Sequence, residues 1–193
     1  LERLAMVLQG KDNIFDTDLF AGVMKVIEEM TPEAKPQVIR GLASVTREKR
    51  IVADHLRTAV FMIADGVMPS NTDRGYVLRR LLRRAVRYAD LIKLAPEGFA
   101  KIIDEVVAKY GKIYSEVESG KLKVKSEIEN EEQKFRKTLR AGLAKLSKVI
   151  SYNINTSDPV LREKISGKEA FDLYQTHGFP VELIIEEARR NGL

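Results

Sequence analysis

Most of the chain places its apolar residues three and four positions apart, which is the spacing of one helix face. No segment alternates convincingly with a period of two, so we expect an all-α fold, an irregular multi-helix bundle. The segment 37–49 is weakly patterned and fits helix or loop, and 151–164 reads as a polar connector. Helices are predicted at about 17–29, 51–67, 74–91, 96–110 and 168–175, and from 181 onward.

Turn and capping residues separate these helices. Thr17 follows an aspartate and supplies an N-cap signal, and Pro69 interrupts the chain because the residue before a proline disfavours helical geometry. From 114 to 150 the chain is highly charged with sparse apolar residues. This pattern predicts one long helix or a helical pair, with Gly120 as the expected break.

The segment 71–88 has the most informative pattern in the chain. On a helical wheel at about 100° per residue, five arginines fall in one arc and the apolar residues in the opposite arc. The helix has no glutamate that could pair with these cations at i,i+4 spacing. Repulsion among close cations is unfavourable, so we expect a polyanionic partner. The arginines are Arg79, Arg80, Arg83, Arg84 and Arg87, and the apolar residues are Val77, Leu78, Leu81, Leu82, Ala85, Val86 and Ala89.

Composition narrows the class of protein. Apolar residues make up 44% and charged residues 32%, which is typical of a soluble globular chain, and the net charge is +5. The absence of cysteine excludes disulfides, thiolate zinc sites and a cysteine nucleophile, and no other metal-ligand spacing occurs. We find neither a signal peptide nor a membrane-length apolar run, and we expect a cytoplasmic protein without a membrane partner. The chain begins and ends in patterned sequence, so we expect a piece of a longer protein.

Three motifs resemble the alanyl-tRNA synthetase family in their order and spacing. They are LERLAMVLQG at 1–10 with FDTDLF at 15–20, the segment from IVADH at 51–55 to Arg87, and AFDLYQTHGFP at 170–180. The resemblance covers the whole chain, although 32–48 and 110–165 agree mainly in helical character. It implies that residues 1–10 are a remnant of the catalytic domain, at the end of the third class II motif. Residues 11–193 would form the helical tRNA-recognition domain, divided near residue 110 into a globular part and a long-helix extension.

The resemblance implies an enzyme that joins alanine to its tRNA with ATP and Mg²⁺, and that carries zinc in an editing domain. The catalytic sheet and the editing domain are not in this sequence, so we expect no catalytic residue, metal or cofactor in the fragment and no alanine activation by it alone. Arg3 matches the family arginine that contacts ATP. The implied partners are the acceptor stem of tRNA(Ala) and the catalytic and editing domains of the same protein.

Two polar residues match positions at which the family recognises the third-position G·U pair of the stem. Asn71 corresponds to the residue that reaches the pair from the minor groove, and its amide can both donate and accept. A turn or N-cap role is the alternative, and the two roles are compatible. Gln175 stands where the family usually has aspartate; its carbonyl oxygen accepts, but it is longer and uncharged. We expect recognition with altered stringency, and the alternative is an incidental polar helix end.

The arginines of this segment are expected to contact phosphates, which position the stem without reading its sequence. The alternative is pairing with carboxylates such as Glu129, Glu131 and Glu132. His55 beside Asp54 is interpreted as a satisfied core residue and not as an acid–base group. For the whole chain, the alternatives are a non-specific helical RNA- or DNA-binding module and a structural helical scaffold. The predicted phosphate contacts are Arg74, Arg79, Arg80, Arg83, Arg84 and Arg87.

Overall fold

The computed structural model describes residues 1–32, 45–157 and 164–192, and within these ranges the regular structure is helical, with no strand. The predicted all-α fold is confirmed. A short 3₁₀ helix, Ile14–Asp16, precedes the second α-helix. The α-helices are α1 (Glu2–Leu8), α2 (Ala21–Glu29), α3 (Val45–Ala64), α4 (Asp73–Leu91), α5 (Gly98–Tyr110), α6 (Ser115–Ser119), α7 (Lys121–Asn155), α8 (Gly167–His177) and α9 (Val181–Arg190).

Several predicted boundaries need adjustment. Thr17 is not a helix N-cap: it ends the 3₁₀ helix, and its hydroxyl donates to the carbonyl oxygen of Ile14 at 2.6 Å. Gly120 does separate α6 from α7, as predicted. The predicted connector at 151–164 is partly wrong because α7 continues to Asn155. Residues 33–44 and 158–163, which include most of the weakly patterned segment, lie outside the described ranges.

The described residues divide into two compact units. Residues 1–32 and 45–130 form the first unit, and residues 131–157 and 164–192 form the second. Helix α7 therefore contributes residues to both units. The domain boundaries predicted at residue 10 and near residue 110 stay predictions.

The first unit is built around the pair α3 and α4, with α2 and α5 packed against α3 and against each other. Its core consists of aliphatic and aromatic side chains at helical spacing. Burying each such side chain contributes about 1.5–3 kcal/mol. The fully buried members include Phe20, Ile27, Leu56, Val60, Ile63, Leu78, Leu82, Val86, Ile102 and Val106.

Helix α4 buries most of the apolar arc that was predicted from the sequence. Leu78, Leu82 and Ala85 are fully or almost fully buried, and Tyr88 joins them. Val77 is an exception, with 38% of its surface exposed. It lies about 100° around the helix from Leu78, just outside the arc that faces α3.

The second unit packs the later part of α7 with α8 and α9. Phe135 of α7 meets Phe179, with ring centroids 5.7 Å apart. Gly142 permits this packing, because a Cβ there would lie 2.9 Å from Cδ2 of Phe179. Helix α8 begins with a capping box between Ser166 and Glu169, and it ends at Gly178, which adopts a left-handed conformation with φ 66°. No helix in the described ranges is long and apolar enough to cross a membrane.

Candidate nucleic-acid interface

A tight loop leads into the arginine helix α4. The backbone N–H of Ser70 donates to the carbonyl oxygen of Gly75 at 3.1 Å, and the Ser70 hydroxyl donates to the carbonyl oxygen of Thr72 at 2.8 Å. Gly75 is needed for this close approach, since a Cβ there would overlap both Ser70 and the carbonyl oxygen of Met68. The loop is therefore folded back onto the first turn of the helix.

Asn71 lies exposed in this loop, one residue before the N-cap position, which Thr72 occupies. The side-chain carbonyl oxygen of Asn71 accepts a hydrogen bond from Nη1 of Arg79. The other terminal nitrogen of Arg79 donates to the carbonyl oxygen of Pro69 at 3.4 Å. Asn71 is thus a turn residue whose amide is held in a set orientation, and the alternative of an N-cap is wrong.

The arginines of α4 do not all occupy equivalent positions. Around the wheel, Arg79 and Arg84 lie about 100° and 120° to either side of Leu78, at the two borders of the buried arc. The other three wheel arginines lie within about 40° of the point opposite Leu78. All five are half-buried, and Arg74 in the first turn is exposed. The three central arginines are Arg80, Arg83 and Arg87.

Arg84 is held by the neighbouring helix α3. Its Nη1 lies 3.1 Å from Nε2 of His55, and its guanidinium lies 5.5 Å from the centroid of the Tyr88 ring. An arginine can only donate, so Nε2 accepts and the ring hydrogen is on Nδ1. Nδ1 is 3.2 Å from Oδ2 of Asp54, to which it donates.

This arrangement satisfies both ring nitrogens of His55, which is only 6% exposed. The hydrogen bond from His55 lowers the pKa of Asp54 below its ordinary value, and it outweighs burial, which raises that pKa. The contacts agree with the interpretation of His55 as a satisfied core residue. The histidine orients the guanidinium of Arg84.

The central arginines Arg80, Arg83 and Arg87 take part in interactions within the chain, as Arg79 and Arg84 do. Contact with RNA phosphates would therefore exchange existing interactions for new ones. Phosphate contact stays a prediction for all six arginines of the segment.

Helix α1, which carries Arg3, makes polar contacts with the rest of the first unit at both ends. Near its start, Nη2 of Arg57 is 2.7 Å from Oε1 of Glu2, and this hydrogen bond is the main reason that the pKa of Glu2 is lowered. After its end, Nε2 of Gln9 donates to Oδ1 of Asp18 at 2.6 Å. The helix itself has no buried residue.

Arg3 is exposed on this helix. One exposed guanidinium can meet a phosphate, and the contact of Arg3 with ATP stays a prediction. The described residues also contain no group of three or more His, Cys, Asp or Glu side chains that could hold a metal ion.

Gln175 lies exposed in the last turn of α8. The hydroxyl of Thr138 donates to the carbonyl oxygen of His177 at 2.9 Å, and Lys145 pairs with Asp172, so that α7 holds this end of α8. Two aromatic rings beside Gln175 are also solvent-accessible. They are Phe171, 61% exposed, and Tyr174, 36% exposed. Asn71 belongs to the first unit and Gln175 to the second, and their joint contact with one base pair stays a prediction.

Comparison with known proteins identifies the family. Residues 1–193 match the model of the family described as tRNA synthetases class II (A). The chain belongs to this family. It is similar to the alanine–tRNA ligase of Rhizobium johnstonii, with 41% identity over 189 residues, which cover 98% of this chain and 20% of that protein. It is also similar to the alanine–tRNA ligase of Sinorhizobium medicae, with 38% identity over 193 residues, 100% of this chain and 20% of the relative. The resemblance inferred from the motifs is confirmed, and the chain spans a fifth of the length of these relatives.

Two contacts in this class II synthetase chain were not anticipated from its sequence. They are the hydrogen bonds from Arg79 to Asn71 and from Arg84 to His55. A signal for them was present, because Arg79 and Arg84 are the two wheel arginines at the borders of the apolar arc. Border positions on a helix reach the segments that pack against its apolar face.

Proposed function

We propose that this chain is the tRNA-binding part of an alanine–tRNA ligase and that it holds the acceptor stem of tRNA(Ala). The observation that carries this proposal is the exposed amide of Asn71 at the start of a helix whose polar side is built from arginine. From 74 to 89 this helix contains six arginines and no carboxylate. The membership of the chain in the synthetase family and its similarity to alanine–tRNA ligases support the same function.

In this function the arginines bind the phosphates of the stem, and Asn71 and Gln175 contact its third base pair. Guanidinium groups suit phosphate oxygens because they donate several hydrogen bonds in a planar fork. The wide, shallow minor groove of A-form RNA exposes base edges, which an asparagine amide can reach. Gln175 supplies the second contact to the G·U pair, at the position where the family usually has aspartate.

The chemistry belongs to parts of the enzyme outside this chain. ATP and Mg²⁺ serve alanine activation in the catalytic domain, zinc belongs to the editing domain, and Arg3 contributes one contact to ATP. The fragment alone is non-catalytic in this proposal, and its partners are tRNA(Ala) and the rest of its own enzyme in the cytoplasm.

The test uses the full-length enzyme with two tRNA(Ala) substrates, one with G·U and one with G·C at the third acceptor-stem pair. Asn71→Ala should lower the ratio of their kcat/KM values by about 5- to 150-fold, the range for one specific base contact. Thr72→Ala is the matched control, since Thr72 is the exposed neighbour and its side chain makes no capping hydrogen bond. An unchanged ratio in Asn71→Ala would mean that this residue does not read the pair.

The dependence of tRNA binding on salt tests the arginines. Replacing one phosphate-binding arginine by glutamine should reduce the slope of log affinity against log salt by about 0.7–0.9. A charge-only nucleic-acid module predicts this loss together with equal affinity for the two tRNAs. A structural scaffold predicts no measurable affinity for either tRNA.

A further inference from the structure

We infer that Arg79 is a positioning residue for base recognition and not a phosphate contact: it orients the amide of Asn71 toward the RNA. This inference rests on the proposed function, because it assigns Arg79 a role in the recognition that Asn71 performs. It separates Arg79 from the other arginines of α4, with which the sequence groups it.

Two contacts of Arg79 are directed at the loop of residues 69–72, which carries Asn71 and is called the recognition loop below. One terminal nitrogen donates to the side-chain oxygen of Asn71, and the other donates to the carbonyl oxygen of Pro69 at 3.4 Å. Arg79 reaches the loop because side chains on a helix lean toward its N-terminus. The guanidinium therefore spans two points of the loop, on either side of Ser70.

These two contacts decide which end of the amide faces outward. An asparagine side chain can turn over, and this exchanges a donor NH₂ group for an acceptor oxygen. The guanidinium of Arg79 only donates, so it selects the orientation in which Oδ1 faces the helix. The NH₂ group is then presented as a donor, and the matching acceptors in an RNA minor groove are pyrimidine O2, purine N3 and the 2′-hydroxyl.

Charge alone does not account for this geometry. A lysine at position 79 keeps the positive charge, but its single nitrogen lacks the planar fork that contacts Asn71 and Pro69 together. The inference therefore predicts that Arg79→Lys impairs discrimination between base pairs while it leaves the electrostatic attraction to the stem intact. A phosphate contact predicts that Arg79→Lys keeps the discrimination as well as the attraction, because lysine also binds phosphate.

The experiment measures kcat/KM of the full-length enzyme for the G·U and G·C forms of tRNA(Ala). Arg79→Lys should lower the G·U to G·C ratio by about two- to tenfold, the worth of one hydrogen bond, with an unchanged salt slope. The double variant with Asn71→Ala should discriminate no worse than Asn71→Ala alone, because Arg79 acts through Asn71. Arg79→Met, which removes both donors, should give at least the same loss. The ratio is insensitive to the fraction of folded enzyme, because that fraction cancels between the two substrates.

Arg80→Lys is the matched control, since Arg80 is the adjacent arginine and lies in the centre of the polar arc; its ratio should equal that of the wild type. If Asn71→Ala loses discrimination and both Arg79 variants keep it, the inference about Arg79 is wrong and the proposed function stands. If Asn71→Ala itself keeps full discrimination, the proposed function fails and the inference fails with it. Additive losses in the double variant would also overturn the inference.

Discussion

Gly75 allows the recognition loop to lie against the first turn of α4, and Gly75→Ala is the sharpest test of that packing. A Cβ at this position would be 2.9 Å from Cβ of Ser70 and nearer still to the carbonyl oxygen of Met68, whereas real Cβ contacts essentially never fall below 3.0 Å. The carbonyl belongs to the backbone and cannot rotate away as a side chain can. The loop that carries Asn71 must therefore shift.

The expected change in the free energy of unfolding follows from three effects, of which two lower it and one raises it. Overpacking costs about 1–3 kcal/mol, and loss of the hydrogen bond from Ser70 to Gly75 costs about 1 kcal/mol. The better helix propensity of alanine returns about 1 kcal/mol. We expect Gly75→Ala to lower the free energy of unfolding by about 1–3 kcal/mol in urea denaturation followed by circular dichroism. In the full-length enzyme it should also weaken discrimination between the G·U and G·C forms of the tRNA.

Gly167→Ala is the matched control. Gly167 is the first residue of α8, and a Cβ there meets nothing within 4 Å. This variant should be as stable as the wild type or more stable by up to about 1 kcal/mol. If Gly75→Ala behaves like Gly167→Ala in both assays, the loop does not depend on the close approach that the structure shows.

Three further outcomes are expected. The hydrogen bond from His55 lowers the pKa of Asp54 and thereby stabilises the fold. This contribution to stability is complete above about pH 4 and is lost as the pH falls through the lowered pKa. In His55→Phe an NMR titration should show the pKa of Asp54 rising toward its ordinary value. Gln175→Asp, which introduces the usual aspartate of the family, should raise the G·U to G·C ratio of kcat/KM if Gln175 contacts the pair, and an unchanged ratio would support an incidental helix end. Gly142→Ala should destabilise the second unit by about 1–3 kcal/mol in urea denaturation, because the added methyl group overlaps Phe179, and a wild-type midpoint would contradict this packing.

Hydrophobic periodicity predicted the helical segments well where one face is buried by a neighbour. In α4 the predicted arc contains Leu78, Leu82 and Ala85, which the structure buries. The error at Val77 arises because the width of the arc depends on how α3 packs against it, and a wheel carries no information about the neighbour. The continuation of α7 to Asn155 depends on a similar contact: the buried Asn153 donates to the carbonyl oxygen of Lys164 at 2.6 Å.

The candidate site was predictable as a set of residues but not as an arrangement. Asn71 and the arginines follow from motif and charge, and the structure places them on one loop and one helix. The partner of Arg84 is His55, 29 positions earlier in the chain, and only the packing of α3 against α4 brings them together. The number of cations can be read from the sequence, but the sequence does not show which of them bind other residues of the same chain.

The attachment of α1 has a consequence for how this segment moves. Because none of its residues is fully buried and the polar pairs from Glu2 to Arg57 and from Gln9 to Asp18 hold it, we expect it to open without unfolding the core behind it. Part of the free energy of such an opening is electrostatic, so it should fall as the ionic strength rises. We therefore expect the amide hydrogens of the segment that carries Arg3 to exchange faster than those in the centres of α3 and α4.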